Sequence, residues 1–310
     1  MSPSKRSICT VGLALVVGAT VRPVSSAVPA PTVSDRSILV TVLDAGGTPV
    51  RDVGAADISV REDGAARVVT AVTPAEDPLF VAVLVDTSQP AMGTIPPVRD
   101  LRAGLEAFVT TVQTADAASQ VALYEFGGAS MRTVNFTTRT PDLTRAIRRL
   151  FPNQRSSAVL LEALVDAARD LRGKDSPRRA VVAVTFASNE TSQVQPQTVA
   201  DEVRKTGASV WAVTVQGTVD PATAQAGVRA PDALGPVREV ILAHLPDASG
   251  GQWLTAVSAS GLEPMLTRVA QALASQFLVT YTRPDDAPAP NVVQASVKGG
   301  GKVLVAPVVR

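Results

Sequence analysis

The sequence predicts an α/β protein in which a doubly wound, mainly parallel sheet is joined to a small β-sandwich built from the N- and C-terminal segments. The run 79–85 is short, rich in valine and apolar on both faces, and it ends abruptly in Asp86-Thr87-Ser88; this is typical of a central parallel strand. Strand patterns then alternate with helical patterns as far as residue 275. Segments 36–75 and 276–310 carry only strand and turn signals.

Residues 1–27 have the composition of a secretory signal peptide. Lys5 and Arg6 precede an apolar stretch that ends in a small-x-small pattern. We therefore predict cleavage near Ala27 and a secreted, periplasmic or cell-envelope location. The alternative is an uncleaved N-terminal anchor, which is the only membrane contact we expect. Residues 28–35, rich in Pro, Ala, Ser and Val, are predicted to form a short linker.

Composition excludes several classes of protein. The single cysteine, Cys9, lies in the predicted signal peptide, so the mature chain has neither a disulfide nor a thiolate metal site. Removal of Lys5, Arg6 and Arg22 changes the formal net charge from +1 to −2, because no acidic residue precedes residue 28. A nearly neutral surface argues against a nucleic-acid partner.

The leading segment is expected to form a small antiparallel unit. Residues 37–43 form a strand closed by a turn at 44–47, and residues 57–62 alternate apolar and polar as a half-exposed strand does. Asp63-Gly64 is a strong hairpin signal, because glycine tolerates positive φ. Residues 66–72 supply the return strand.

The region 79–275 is expected to hold the doubly wound domain. Apolar residues recur at three- and four-residue steps from Val98 to Val112, which predicts the first helix. Further strands are expected at 121–126, 131–136 (an antiparallel edge), 180–186, 209–215 and 253–256. Further helices are expected from Thr140 as N-cap, after Ser156 or Ser157, at 196–205, at 237–245, and after a capping box of Ser260 and Glu263. Residues 216–234 are expected to form a surface loop.

The trailing segment is again β, with strands expected at 276–281, 292–297 and 303–309. Neither terminal segment can bury a sufficient core alone. We therefore predict that they pair into one sandwich with the doubly wound domain inserted between them. The alternative is two separate β appendages.

The chain resembles the von Willebrand factor A (VWFA)-related family of secreted bacterial proteins. Asp86 and Ser88 match the Asp-x-Ser-x-Ser loop that follows the first strand of such domains, although Pro90 replaces the second serine. The lead-in from Gly47 to Gly64 and the segment Gln276–Tyr281 also match the family pattern. The resemblance implies that 79–275 is a von Willebrand A-like domain.

The resemblance also implies a metal-ion-dependent adhesion site (MIDAS), which binds Mg²⁺ through oxygen ligands from three loops. Here Ala158 replaces the threonine of the second loop and Phe186, which would crowd an ion, replaces the aspartate of the third. We therefore predict no metal and no cofactor, with Asp86, Ser88 and Ser157 as vestigial positions. The alternative is a Mg²⁺ site that Asn189 or Glu190 completes through a rebuilt loop.

The expected function is a protein–protein interaction module of the adhesion type, which is not an enzyme. The only histidine, His244, is expected to be a partly buried packing residue, so no catalytic relay is assembled. The alternative classes are a non-catalytic structural component of the cell envelope and a doubly wound enzyme. A protein or peptide partner is expected at the carboxyl edge of the sheet, on Asp86, Ser88, Gln89, Ser156, Ser157, Ser188 and Asn189.

Overall fold

The computed structural model describes residues 32–88, 95–151, 153, 156–186, 188, 190–216 and 236–307. The predicted signal peptide, the first half of the predicted linker (28–31) and, apart from residue 216, the predicted loop 216–234 lie outside these residues. The described part of the chain forms a central six-stranded sheet with helices on both faces, and two smaller antiparallel sheets. Both parts of the predicted fold class are therefore confirmed.

The central sheet has the strand order β10-β9-β8-β5-β6-β7. Adjacent strands of this sheet run parallel, except that β7 pairs antiparallel with β6, as predicted for an edge strand. The strands are β5 (Phe80–Val85), β6 (Gln120–Glu125), β7 (Met131–Thr137), β8 (Arg179–Phe186), β9 (Ser209–Val215) and β10 (Trp253–Ala256). The innermost strands are buried on both faces, which is why they are continuous apolar runs in the sequence.

Helices cover the two faces of this sheet. They are α1 (Ile95–Ala115), α2 (Thr140–Ile147), α3 (Leu160–Arg172), α4 (Pro196–Thr206), α5 (Pro236–Ala248) and α6 (Leu262–Ala274), the last preceded by a 3₁₀ turn at Ala259–Gly261. Alternate residues of β5 divide the core: Val83 packs with α1, α2 and α6, whereas Leu84 packs with α3, α4 and α5. Among the described helices, none is long and apolar enough to cross a membrane.

The helix caps differ from those the sequence predicts. Thr140 is the first residue of α2 rather than its N-cap, and its hydroxyl donates to Gln113. The N-cap of α6 is Gly261, without a side-chain cap, so the predicted capping box of Ser260 and Glu263 is absent there. Neither hydroxyl caps its helix, because each has another partner. The Thr140 hydroxyl bonds Gln113, and the Ser260 hydroxyl bonds the Ser258 hydroxyl across the 3₁₀ turn.

The terminal segments form one sandwich, as predicted. One sheet has the order β13-β1-β11-β4 and the other β12-β2-β3, and their facing apolar residues form a separate core. The strands are β1 (Val33–Leu43), β2 (Ile58–Glu62), β3 (Ala65–Arg67), β4 (Val69–Pro74), β11 (Phe277–Pro284), β12 (Val293–Val297) and β13 (Lys302–Pro307). The linker predicted at 28–35 is wrong for residues 33–35, because these residues pair with 282–284 of β11.

Arg178 links the two segments through which the chain passes between the sandwich and the central domain. Its buried guanidinium donates to the carbonyl oxygens of Ala75 at 2.9 Å, Asp77 at 2.8 Å and Leu273 at 2.8 Å, and to the Gln276 side chain at 3.3 Å. Burial lowers the pKa of Arg178. One side chain thus satisfies carbonyl groups from both crossing segments.

The substitution Arg178→Met should lower the free energy of unfolding by about 3 kcal/mol or more, because buried carbonyl groups lose their donors. Urea denaturation measures the change. The exposed Arg145→Met, which removes a surface ion pair with Asp142, is the control and should cost less than about 1 kcal/mol. Equal losses for the two variants would contradict the role given to Arg178.

A buried polar cluster joins the two sheets of the sandwich. The Tyr281 hydroxyl donates to Glu62 Oε1 at 2.8 Å, and Glu62 Oε2 lies 2.8 Å from Arg67 and 3.2 Å from Arg283. Burial, together with the hydrogen bond to Glu62, raises the pKa of Tyr281 to about 12.

Because the pKa of Tyr281 is raised in the folded state, its stabilising contribution is complete below the unfolded value of about 10. That contribution should be lost as the pH rises from about 10 to about 12. The variant Tyr281→Phe should therefore show a shallower fall in stability across this window than the wild type in urea titrations at stepped pH. An identical alkaline slope in the two proteins would contradict this assignment.

Candidate functional site

The polar site lies where the buried strands β5 and β8 end, at the carboxyl edge of the central sheet. Parallel strands deliver their following residues to one edge, where α/β folds place ligands. Short bridges join the loops there: Ser88 pairs with Asn153, and Ala158 pairs with both Gly127 and Glu190. We call the described loop residues 86–88, 126–128, 153, 156–159, 186, 188 and 190–192 the apical loops.

The tight packing of the apical loops requires glycine at position 127. A β-carbon there would lie 2.8 Å from backbone and side-chain atoms of Thr87. Asn153 links the same two loops, because its backbone N–H donates to the Thr87 carbonyl and its side-chain amide donates to the Gly127 carbonyl. The loop that begins with Asp86 is therefore held from two sides.

Asp86 is fully buried, with 0% of its surface exposed, and both its carboxylate oxygens are engaged. Oδ1 accepts from the Ser88 hydroxyl at 2.6 Å and from the Ser88 backbone N–H at 3.0 Å. Oδ2 accepts from the Ser188 hydroxyl at 2.8 Å and, more weakly, from the Phe186 backbone N–H at 3.4 Å. The carboxylate thus ties the loop after β5 to the loop after β8.

Arg238 brings a positive charge into this site. It lies in the first turn of α5 and is also 0% exposed. Its Nη1 lies 3.6 Å from Asp86 Oδ2 and donates at 3.0 Å to both the Phe186 carbonyl and the Ser188 hydroxyl. Its Nε donates to Glu190 Oε2 at 2.7 Å; its Nη2 lies equally close to that oxygen but without hydrogen-bond geometry. The guanidinium therefore lies between two buried carboxylates.

Glu190 connects this ion pair to a helix. Its Oε1 accepts from the backbone N–H of Leu160, the first residue of α3, and from the Ser192 hydroxyl. The Ser192 hydroxyl in turn accepts from the N–H of Leu161. A carboxylate at a helix N-terminus is stabilising. The cap of α3 thus comes from the loop after β8, and not from Ser156 or Ser157 as the sequence predicts.

Phe186 does not fill the site. Its side chain packs in the core on the α1 and α6 side of the sheet, and only its backbone N–H and carbonyl face Asp86 and Arg238. The prediction that Phe186 would crowd an ion is wrong, because the alternation of side chains along β8 turns this residue away from the site. Arg238 fills the space instead.

The structure brings some of the predicted site residues together and separates others. Asp86, Ser88 and Ser188 form one buried cluster. Their side chains are therefore not available to a partner in this structure, and we revise that prediction to a role in positioning the loops. Ser156 and Ser157 are half-buried; the Ser156 hydroxyl donates to the Asn153 carbonyl, and the Ser157 carbonyl accepts from Gly128. Gln89 and Asn189 lie outside the described residues.

Sequence reasoning missed Arg238. The sequence predicts the fifth helix from Val237, Val240, Ile241, His244 and Leu245. Ile241 and Leu245 are buried, but Val237, Val240 and His244 are exposed, so the prediction that His244 is partly buried is wrong. The buried face is Arg238, Ile241, Leu242 and Leu245. This set has the spacing i, i+3, i+4, i+7 that indicates a buried helical stripe. An arginine in the leading position of such a stripe is the signal that could have located the site.

Comparison with solved structures identifies the fold. The proximal thread matrix protein 1 of the mussel byssus is 15% identical, with a TM-score of 0.50 over 65% of this chain and 49% of the matrix protein, so the chain spans about half the length of that structure. Another structure of that protein, with a zinc-occupied MIDAS motif, is 14% identical with a TM-score of 0.49, covering 68% of this chain and 50% of that one.

The von Willebrand domain of the type V pili tip protein Mfa5 from Porphyromonas gingivalis is also similar, at 11% identity and a TM-score of 0.48 over 65% of this chain and 96% of that one. No family model and no curated protein sequence matches the chain. The chain has a von Willebrand factor A-related fold, as its resemblance at the first strand predicts.

The residues of the apical site do not fit the divalent ion that this fold implies. Each Asp86 oxygen already accepts hydrogen bonds, and the Ser188 hydroxyl and Phe186 carbonyl accept from Arg238. Mg²⁺ demands near-octahedral coordination by such oxygens. Within the described residues, no group of three or more His, Cys, Asp or Glu side chains could hold a metal.

The substitution Glu190→Gln should destabilise the protein by about 3 kcal/mol or more, because it leaves the buried guanidinium with Asp86 alone at 3.6 Å. Urea denaturation checks the value. Asp142→Asn, which weakens exposed ion pairs on α2, is the matched control and should cost less than about 1 kcal/mol. A loss for Glu190→Gln no larger than the control would show that the pair contributes little.

Proposed function

We propose that this chain is a secreted or cell-envelope protein-interaction module of the adhesion type, which binds a protein or peptide at the carboxyl edge of its von Willebrand A-like sheet without a divalent metal. The observation that carries the proposal is an exposed aromatic anchor beside the apical loops. The Phe151 side chain is 66% exposed, two residues before Asn153, which bridges to Ser88. Exposed aromatic residues on rigid supports are typical anchors of protein interfaces.

Phe151 is held in place on its inner side. The guanidinium carbon of Arg102 lies 4.7 Å from the centre of the Phe151 ring, and Arg102 also donates to the Leu150 carbonyl. A ring held this way loses little conformational entropy when a partner covers it. Val257, 76% exposed immediately after β10, adds an apolar contact on the same edge of the sheet.

The burial of the titratable groups at the apical site supports a binding role rather than a catalytic one, and we propose that the chain is not an enzyme. The side chains of the groups that the structure describes there, Asp86, Glu190 and Arg238, are buried and bonded to one another or to neighbouring loops. A catalytic acid or base needs access to a substrate proton, and the buried groups lack it.

Secretion is supported by the basic start, the apolar centre and the small residues of 1–27. A structural role in the cell envelope remains the second candidate, because a preformed apical surface serves a permanent assembly equally well. Reversible capture of a partner separates the two roles.

The test uses the secreted protein on a resin against the solubilised envelope fraction of its source organism. We compare wild type, Phe151→Ala and the control Val68→Ala, whose residue is similarly exposed but lies between β3 and β4 of the sandwich. A partner captured by wild type and by Val68→Ala should be reduced at least about tenfold with Phe151→Ala, since an interface anchor contributes about 2 kcal/mol. The same capture should survive excess EDTA.

Equal capture by wild type and Phe151→Ala would contradict the choice of surface. Loss of capture in EDTA would contradict metal independence. Failure of all three proteins to capture any component that elutes reversibly would contradict the binding role.

A further inference from the structure

The two buried carboxylates at the carboxyl edge need a positive charge to compensate them. Two carboxylates, from Asp86 and Glu190, lie in a site with no exposed surface on the first and almost none on the second. Two such charges repel each other strongly in a medium of low dielectric constant. The guanidinium of Arg238 supplies the positive charge between them.

We propose that Arg238 is the built-in cation of this von Willebrand A-like domain: it replaces a dissociable metal ion and holds the apical loops in one arrangement under all ionic conditions. The proposal deepens the metal independence proposed above and rests on it. It assigns a positioning role to a side chain on α5, outside the three loops that hold the ion in the resembled family.

The position of Arg238 on its helix supports this role. A cation in the first turn of a helix is unfavourable, since the N-terminus carries the positive end of the helix dipole. A fully buried arginine also loses its hydration. Among the described residues, the contacts of Arg238 with Asp86, Phe186, Ser188 and Glu190 offset both costs.

The directions of the hydrogen bonds around Arg238 also support this role, because the guanidinium donates and the surrounding groups accept. The Phe186 carbonyl, the Ser188 hydroxyl and the Glu190 carboxylate all accept from Arg238. These are the oxygen types that bind Mg²⁺ and Mn²⁺. Removing the guanidinium would therefore leave oxygen acceptors around a space with two negative charges.

The helix that carries Arg238, α5, also reaches the sandwich at its other end. At the other end of this helix, Asp247 forms an ion pair with Lys302 of β13 at 3.0 Å. The turn that follows brings Gly250 so close to β13 that a β-carbon would lie 2.3 Å from the Val305 carbonyl oxygen. One helix thus contacts the apical loops at its start and the sandwich at its end.

The test measures thermal unfolding of wild type, Arg238→Ala and the double variant Arg238→Ala/Glu190→Gln, each with and without 10 mM Mn²⁺ or Mg²⁺. We expect no shift of the wild-type Tm with either ion. Arg238→Ala should unfold at a lower temperature without metal and gain roughly 5 °C with Mn²⁺, because binding to the folded state stabilises it. The double variant should lose this gain, because one carboxylate is gone.

If Arg238→Ala does not fold alone, the same comparison is made by refolding it with and without Mn²⁺. Recovery of the folded state in Mn²⁺ supports the proposal, and failure in both conditions contradicts it. A wild-type Tm that rises with metal, or an Arg238→Ala variant as stable as wild type and indifferent to metal, also overturns it. The readout needs no partner, so its failure is distinct from loss of capture by Phe151→Ala.

Discussion

The ion pair between Arg238 and the carboxylates of Asp86 and Glu190 determines how the carboxyl edge of this protein is built. A buried pair of this kind contributes little net stability compared with an apolar core, but removing one partner leaves an uncompensated charge in the interior. The loops after β5 and β8 and the start of α5 must therefore stay together or unfold together. Glu190 extends the dependence to α3, because its second oxygen caps that helix.

The consequence for function is a rigid edge. The side chains that the sequence predicts as contact residues, Asp86, Ser88 and Ser188, are part of its internal support. The described part of the edge exposes two large apolar side chains, Phe151 and Val257, beside polar residues such as Asn153 and Thr191. We propose that these apolar side chains bind a partner through shape and burial, a contact that salt and divalent ions affect little. The internal support and the proposed contact surface are thus different sets of residues.

Much of the fold could be predicted from the sequence, because strands buried on both faces leave continuous apolar runs and half-exposed strands leave alternation. The sandwich also followed from a simple physical limit, since neither terminal segment could bury a core alone. The site was harder to predict. Asp86 and Ser88 were found by their position after a buried strand, but Arg238 lies about 150 residues away, and only the fold brings it to them. The error on Phe186 came from assigning a role by position in a motif, while strand alternation decided where that side chain points.

The most direct test of this account is a crystal structure of the wild-type protein grown in excess Mn²⁺, with an anomalous difference map calculated at the carboxyl edge. The account predicts the Arg238 guanidinium between Asp86 and Glu190 and no anomalous peak within coordination distance of either carboxylate. A manganese peak beside Asp86 and Ser88, with Arg238 displaced from the site, would contradict it.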